Sequence, residues 1–181
     1  VFGRYISGIS GDYLFHSVPY YSMSEDDLEL EEFNKLGEQA SQGCVRLAVS
    51  DAKWVYDNCP TGTNVSIYDD AENAGPLGKP DAIKITDFTN KWDPTDSNKK
   101  CPYAKATPTI SGANDYTIKS GGEFYALAGV TAVDTCGNDI TSNIEVFGNV
   151  VTTRKGKYKV TYSVTDVLKR TSSVTITVTV Q

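Results

Sequence analysis

The chain has a single histidine, His16, among 181 residues, and this scarcity removes several kinds of chemistry at once. Its four cysteines, Cys44, Cys59, Cys101 and Cys136, are irregularly spaced and include no Cys-x-x-Cys pair. With one histidine they make a poor zinc set, so no structural metal and no cofactor are expected. Basic clusters are also missing: 17 Lys and Arg stand against 23 Asp and Glu, for a net charge of -6. A phosphate backbone would find no grip, which argues against a nucleic-acid partner. No stretch approaches the roughly 18 apolar residues of a membrane helix, and no signal peptide is visible, so any export signal or membrane anchor is expected outside this chain. The length suggests one or two domains.

What is present is organised around Ala40-Ser41-Gln42-Gly43-Cys44-Val45-Arg46-Leu47. A thiolate attacks carbonyls far better than a thiol, and a nearby imidazole is the usual means of making one near neutral pH. His16 is the one candidate base for Cys44. Ser41 and Gly43 let the backbone turn sharply beside the thiol and aim amides where an oxyanion would develop. Ser50 reads as the N-cap of a following helix. The bland alternative is a buried cysteine that only packs.

Tyr13-Leu14-Phe15-His16-Ser17-Val18-Pro19-Tyr20, followed after a variable segment by Ser41-Gln42-Gly43-Cys44-Val45-Arg46 and a helix carrying Trp54, resembles the catalytic core of the L,D-transpeptidases over roughly Gly11 to Asp70. The resemblance implies Cys44 as nucleophile and His16 as base, with the Ser17 carbonyl orienting the imidazole and the Gly43 and Cys44 amides receiving the oxyanion. It places Ser41, Gln42, Arg46 and Tyr20 with the substrate, a peptidoglycan tetrapeptide stem. Attack at the third stem residue would release D-alanine, and a neighbouring stem's amine would then take the acyl group. Gln42 departs from the histidine that many members carry there. Arg46 either clamps the donor carboxylate or braces the loop through Asp12 or Asp51. Two other readings stay open: an L,D-carboxypeptidase, in which water takes the acyl group, and a wall-binding module whose catalytic half has decayed.

Around this motif, Asp12 to Val18 reads as a buried strand. A complete domain of the resembled type has further strands before it, so either a second chain completes the sheet or the chain is a fragment. Ser24 is placed to cap a helix over Glu25 to Leu36, stopped by Gly37, with Leu30, Phe33 and Leu36 as its apolar stripe. This is either a solvated surface helix or a lid over the site. Ala52, Val55, Tyr56 and Cys59 mark a buried helical face with Trp54 packing beside it, and Asn64 to Tyr68 alternates as a closing strand. Residues 71–106 read as a linker punctuated by Gly75-Pro76, Lys79-Pro80, Asp93-Pro94 and Cys101-Pro102. Ile83, Ile85, Phe88 and Trp92 are expected to pack it across the junction. Cys59 with Cys101 is the favoured disulfide, two free thiols the alternative.

From Thr107 the texture turns to β. Tyr158, Val160, Tyr162 and Val164 alternate with polar residues, as do Val174, Ile176, Val178 and Val180, which predicts a hairpin turning at Asp166 to Thr171. Shorter strands are expected near Tyr116 to Lys119, Val130 to Val133 and Ile144 to Val150. Gly129 to Asp134, Gly137 to Thr141 and Gly156 to Tyr162 resemble bacterial immunoglobulin-like surface modules. Asp134, Asn138 and Asp139 are either calcium ligands or ordinary turn formers, and Cys136 is expected at least half exposed. The fold expected is mainly β with two short helices: a partial L,D-transpeptidase-type domain over 1–70, the linker, and an immunoglobulin-like β-sandwich over 107–181. The expected location is the cell wall of a bacterium, with a Gram-positive wall favoured.

Overall fold

The computed structural model describes residues 1–70, 72, 75 and 78–181. Pro76, one of the turn signals above, lies outside the described residues. The chain divides into two compact units, Val1–Lys105 and Ala106–Gln181. Among the described residues no helix is long and apolar enough to cross a membrane.

Unit 1 is built on a three-stranded sheet. Strand β1 (Ser7–Ser10) turns at Gly11, whose φ of 55° favours glycine, into antiparallel β2 (Tyr13–Ser17), and β3 (Val45–Leu47) lies parallel to β2. The long excursion between β2 and β3 carries helix α1 (Leu30–Phe33), and α2 (Val49–Asn58) begins just after β3. Val18, Tyr20, Leu28, Leu30, Phe33, Val49, Ala52 and Ile85 are buried in this unit. β2 is itself only half buried until Ser17, so the expectation of a fully buried strand holds only at its end.

The acidic stretch expected as a three-turn helix from Glu25 forms a single turn. Tyr20 bridges Leu28, the Tyr21 amide donates to Asp27 O at 3.0 Å, and the Leu28 amide donates to Lys91 O at 2.9 Å. These bonds hold residues 27–28 extended, and Ser24 turns its hydroxyl to Asp26 instead of capping a helix. At α2 the N-cap position is Ala48, not Ser50. The free Val49 amide instead donates to Asp93 Oδ2 at 2.8 Å, and the Ser50 amide to Thr95 Oγ1 at 3.1 Å. A residue 44 positions along the chain thus supplies the cap. Trp54 is 62% exposed rather than packed, and Asn64 to Tyr68 forms no strand.

The segment read as a linker packs on unit 1. Asn34 pairs with the backbone of Ile85 through both halves of its side-chain amide, donating at 2.8 Å and accepting at 2.7 Å. The Arg4 guanidinium meets the buried Asp96 carboxylate at 2.6 Å. Cys101 is buried with its thiol directed at Asp93 O, 3.7 Å away, and it is not joined to Cys59; none of the four cysteines is in a disulfide.

Unit 2 is a two-layer β arrangement. β4 (Thr109–Ser111) pairs antiparallel with β6 (Thr131–Val133), and the larger sheet runs β5 (Tyr116–Ile118), β9 (Thr171–Val180), β8 (Gly156–Thr165), β7 (Glu145–Phe147). The long hairpin forms as its alternation predicts: Val160 faces Ile176 and Tyr162 faces Val174. Their common face packs on Val130, Ala132 and Ile144 of the core. The Asp134 carboxylate closes its own turn, accepting from the Cys136 and Asn138 amides at 2.8 Å each and from Asn138 Nδ2 at 2.8 Å. That is turn chemistry, and among the described residues no group of three or more His, Cys, Asp or Glu is placed to hold a metal.

Cys136 in that turn is 1% exposed, contrary to expectation, and burial pushes its thiol up to about 11. Burial also raises Cys101. Because only the thiolate alkylates readily, iodoacetamide at neutral pH is expected to modify Cys44 and Cys59 in the folded chain, and Cys101 and Cys136 only in denaturant. Peptide mapping after timed labelling checks this, and modification of Cys136 in the native chain at the rate of Cys44 would contradict the burial.

Candidate active site

The parallel pairing of β2 with β3 brings the candidate residues together. His16 lies opposite Arg46 in the register, and Cys44 stands two residues before Arg46, at the entrance to β3. Side chains alternate along a strand, so Cys44, Arg46 and His16 share one face of the sheet. All three line a cleft of about 890 Å³, together with Tyr13, Ser41 and Gln42.

The imidazole is held from behind. His16 Nδ1 lies 2.6 Å from the Ser17 carbonyl oxygen, where an Nδ1–H donates and leaves the Nε2 lone pair free. Ser17 is fully buried; its hydroxyl donates to Val18 O and accepts from the Arg4 amide, both at 2.9 Å. Its own amide donates to Arg4 O at 3.0 Å. The carbonyl that positions the ring is therefore part of a rigid ladder.

The loop before the cysteine is fastened internally. Ser41 Oγ accepts from the Gly43 amide at 3.1 Å and donates to the Cys44 carbonyl at 2.5 Å. The Gly43 amide, expected to face an oxyanion, is thus bonded to Ser41. Gly43 has φ of 140°, and a Cβ there would lie 2.2 Å from Tyr13 Cε1. Only glycine fits beneath that ring. Cys44 is half buried, with its sulfur 3.9 Å from Asp12 O.

Arg46 pairs with Glu32 of α1 rather than with Asp12 or Asp51, and Glu32 also accepts from Lys35 Nζ at 2.5 Å. Lys35 and Arg46 together hold the Glu32 carboxyl below the usual carboxylate range. The pair ties α1 to β3 just after the cysteine loop, and between them lies a second hollow of about 320 Å³ that Cys44 also borders. The excursion between His16 and Cys44 therefore walls the cleft.

Tyr20 does not join the substrate-binding residues. It is 1% exposed, bridged to Phe2 and Leu28, with its hydroxyl accepting from Arg4 at 3.5 Å, and burial pushes the phenol upward. Its ring is core. Sequence reasoning overlooked Tyr13, which covers Gly43, as well as Glu32 and Asp93. Tyr13 opens the motif that carries His16 and could have been weighed; the other two act through contacts that no local pattern encodes.

Residues 2–67 match the family model described as the L,D-transpeptidase catalytic domain, and residues 108–180 match that of the bacterial surface protein Ig-like domain. The Bacillus subtilis (strain 168) protein YciB, whose name offers it as a candidate L,D-transpeptidase, is 52% identical over 58 residues, covering 32% of this chain and 28% of YciB. The pesticidal crystal protein Cry22Aa of Bacillus thuringiensis is 42% identical over 66 residues, covering 34% of this chain and 9% of that protein. The chain therefore spans less than a third of the length of these curated relatives. A solved structure of CBM51-2 in complex with GlcNAc and INT domains from Clostridium perfringens ZmpB is 29% identical, covering 41% of this chain and 16% of that one, with a TM-score of 0.37.

Proposed function

From a chain that joins L,D-transpeptidase catalytic-domain sequence to a bacterial surface Ig-like domain, we propose a cysteine acyltransferase acting on peptidoglycan stem peptides in a bacterial cell wall, a Gram-positive one being favoured. The observation that carries the reading is that His16, its Nδ1 anchored on the Ser17 carbonyl, lines the same cleft as Cys44.

In this mechanism His16 Nε2 takes the Cys44 proton, and the thiolate attacks the carbonyl of the third residue of a tetrapeptide stem. The bond to the terminal D-alanine breaks, and the imidazolium protonates the departing amine. The acyl group stays on Cys44 as a thioester. The side-chain amine of a neighbouring stem attacks it, its proton returns through His16, and the thiol is regenerated with a link between third residues. Ser41 and Gly43 hold the loop that presents the sulfur, and Ser17 sets the ring angle. Gln42 offers an amide to the donor stem from the cleft wall. Arg46, balanced by Glu32, braces the loop and leaves part of its guanidinium toward the donor's carboxylate.

The test is intact-protein mass spectrometry after incubation with a disaccharide tetrapeptide. The unmodified chain is expected to gain an acyl adduct with loss of D-alanine, and His16→Ala to slow its formation by about 10²–10⁴-fold. Absence of any adduct with stems carrying either of the common diamino acids would overturn the reading. Equal rates in the variant would remove His16 from it. If the adduct clears as fast without an acceptor amine as with one, water is the acceptor and the activity is that of a carboxypeptidase.

A further inference from the structure

Unit 2 carries an aromatic hollow that the transpeptidase reading leaves unused. The rings of Tyr116 on β5 and Phe124 in the next loop stand 5.9 Å apart between centroids, tilted by 49° to form an open corner. Beside them Tyr125 is 68% exposed, and its hydroxyl donates to Glu123 Oε2 at 2.7 Å. These rings, with Asn114 and Glu123, surround a hollow of about 100 Å³ whose floor is the buried pair Tyr162 and Ile176.

The hollow is built in advance. The Tyr162 hydroxyl donates to Ala126 O at 2.7 Å, which fastens the loop bearing Phe124 and Tyr125 onto β8. On the other side Asp115 accepts from the Thr177 amide at 2.6 Å, fixing the approach to β5. The hollow is small and its lining mixed polar and aromatic, so a ligand would lie against its exposed rings rather than inside it, and clustered exposed aromatics call for a partner.

Charge narrows the ligand. Glu123 is the one charged residue lining the hollow, so a phosphate-bearing or otherwise polyanionic chain is disfavoured. A neutral sugar fits on both counts: its C–H faces lie against aromatic rings, while its hydroxyls can donate to Glu123 and exchange hydrogen bonds with Asn114. We propose that the exposed rings around this hollow stack against one pyranose face of a neutral glycan strand, making unit 2 a saccharide-binding module.

The experiment uses the full chain carrying Cys44→Ala, so that no covalent adduct contributes and failure of the catalytic reading would leave the result untouched. An N-acetylglucosamine hexamer is titrated and followed by calorimetry, with Tyr125→Ala and Asn114→Ala added separately. Binding is expected, and each substitution should weaken it by about tenfold without moving the thermal midpoint, since both side chains are exposed. No heat with the hexamer at millimolar concentration overturns the proposal. Equal affinity in both variants does the same.

Discussion

Cys44→Ala is expected to leave no acyl adduct and no D-alanine release, a loss of at least about 10⁴-fold set by the detection limit, while the fold persists. The two halves of this expectation have separate causes. The thiol supplies the electron pair that forms the new bond, and neither alanine nor the neighbouring Ser41, whose hydroxyl is engaged with Gly43 and Cys44, can replace it. Structurally the sulfur is half buried and makes one long contact to Asp12 O, so its removal should cost less than about 1 kcal/mol. Mass spectrometry of variant and parent side by side, with the thermal midpoint of each, checks both. Turnover retained in the variant would move the nucleophile elsewhere; a collapsed midpoint would show that Cys44 is a packing residue.

The second large effect is expected far from the chemistry. Asp93→Ala should destabilise unit 1 by about 3 kcal/mol. Asp93 is fully buried, and its carboxylate accepts from the Val49 amide, the Thr95 amide at 2.8 Å and the Thr95 hydroxyl at 2.6 Å. Alanine would leave those donors unpaired in the interior and strip α2 of the group that caps it, and α2 begins two residues after β3, the strand that opens next to Cys44. Burial pushes the Asp93 carboxyl above the ordinary range, against the pull of Thr95 and Val49. With the folded value raised, the contribution of this ionisation to stability is complete below the ordinary carboxylate range and lost as pH rises through the raised value. The gap in thermal midpoint between parent and variant is therefore expected to widen toward acidic pH. A stability loss below about 1 kcal/mol, or a midpoint gap that narrows on acidification, would contradict the assigned role.

Much of the site was legible because its signals are local. A cysteine flanked by Ser41 and Gly43, with a single histidine ahead of it, needs no tertiary information to be noticed. The long hairpin of unit 2 was equally legible, since ten-residue strands repeat the period-two signal enough times to outweigh noise. Short elements were not. Residues 25–36 carry helical spacing and a capping serine, yet the backbone near Leu28 is bonded to Tyr20, Tyr21 and Lys91, and those long-range bonds override weak propensity. Asn64 to Tyr68 alternates like a strand but has no strand partner among the described residues. Prolines follow both Cys59 and Cys101, but they say nothing of distance, and a motif resemblance that places Tyr20 with the substrate says nothing of its burial.

The sequence by itself picked out Cys44 and His16 as the candidate pair, and determined the glycine beside Cys44, the acidic balance and the β character of the second unit, because each follows from residue type and short-range spacing. Tertiary structure alone decided that His16 and Arg46 stand opposite in a parallel register, that Glu32 rather than Asp12 or Asp51 answers Arg46, that Asp93 caps α2, and that Tyr20 belongs to the core. The reason is physical. Burial and a partner's charge or hydrogen bond are properties of groups brought together across tens of residues, and the local pattern of a chain does not encode which distant group will arrive.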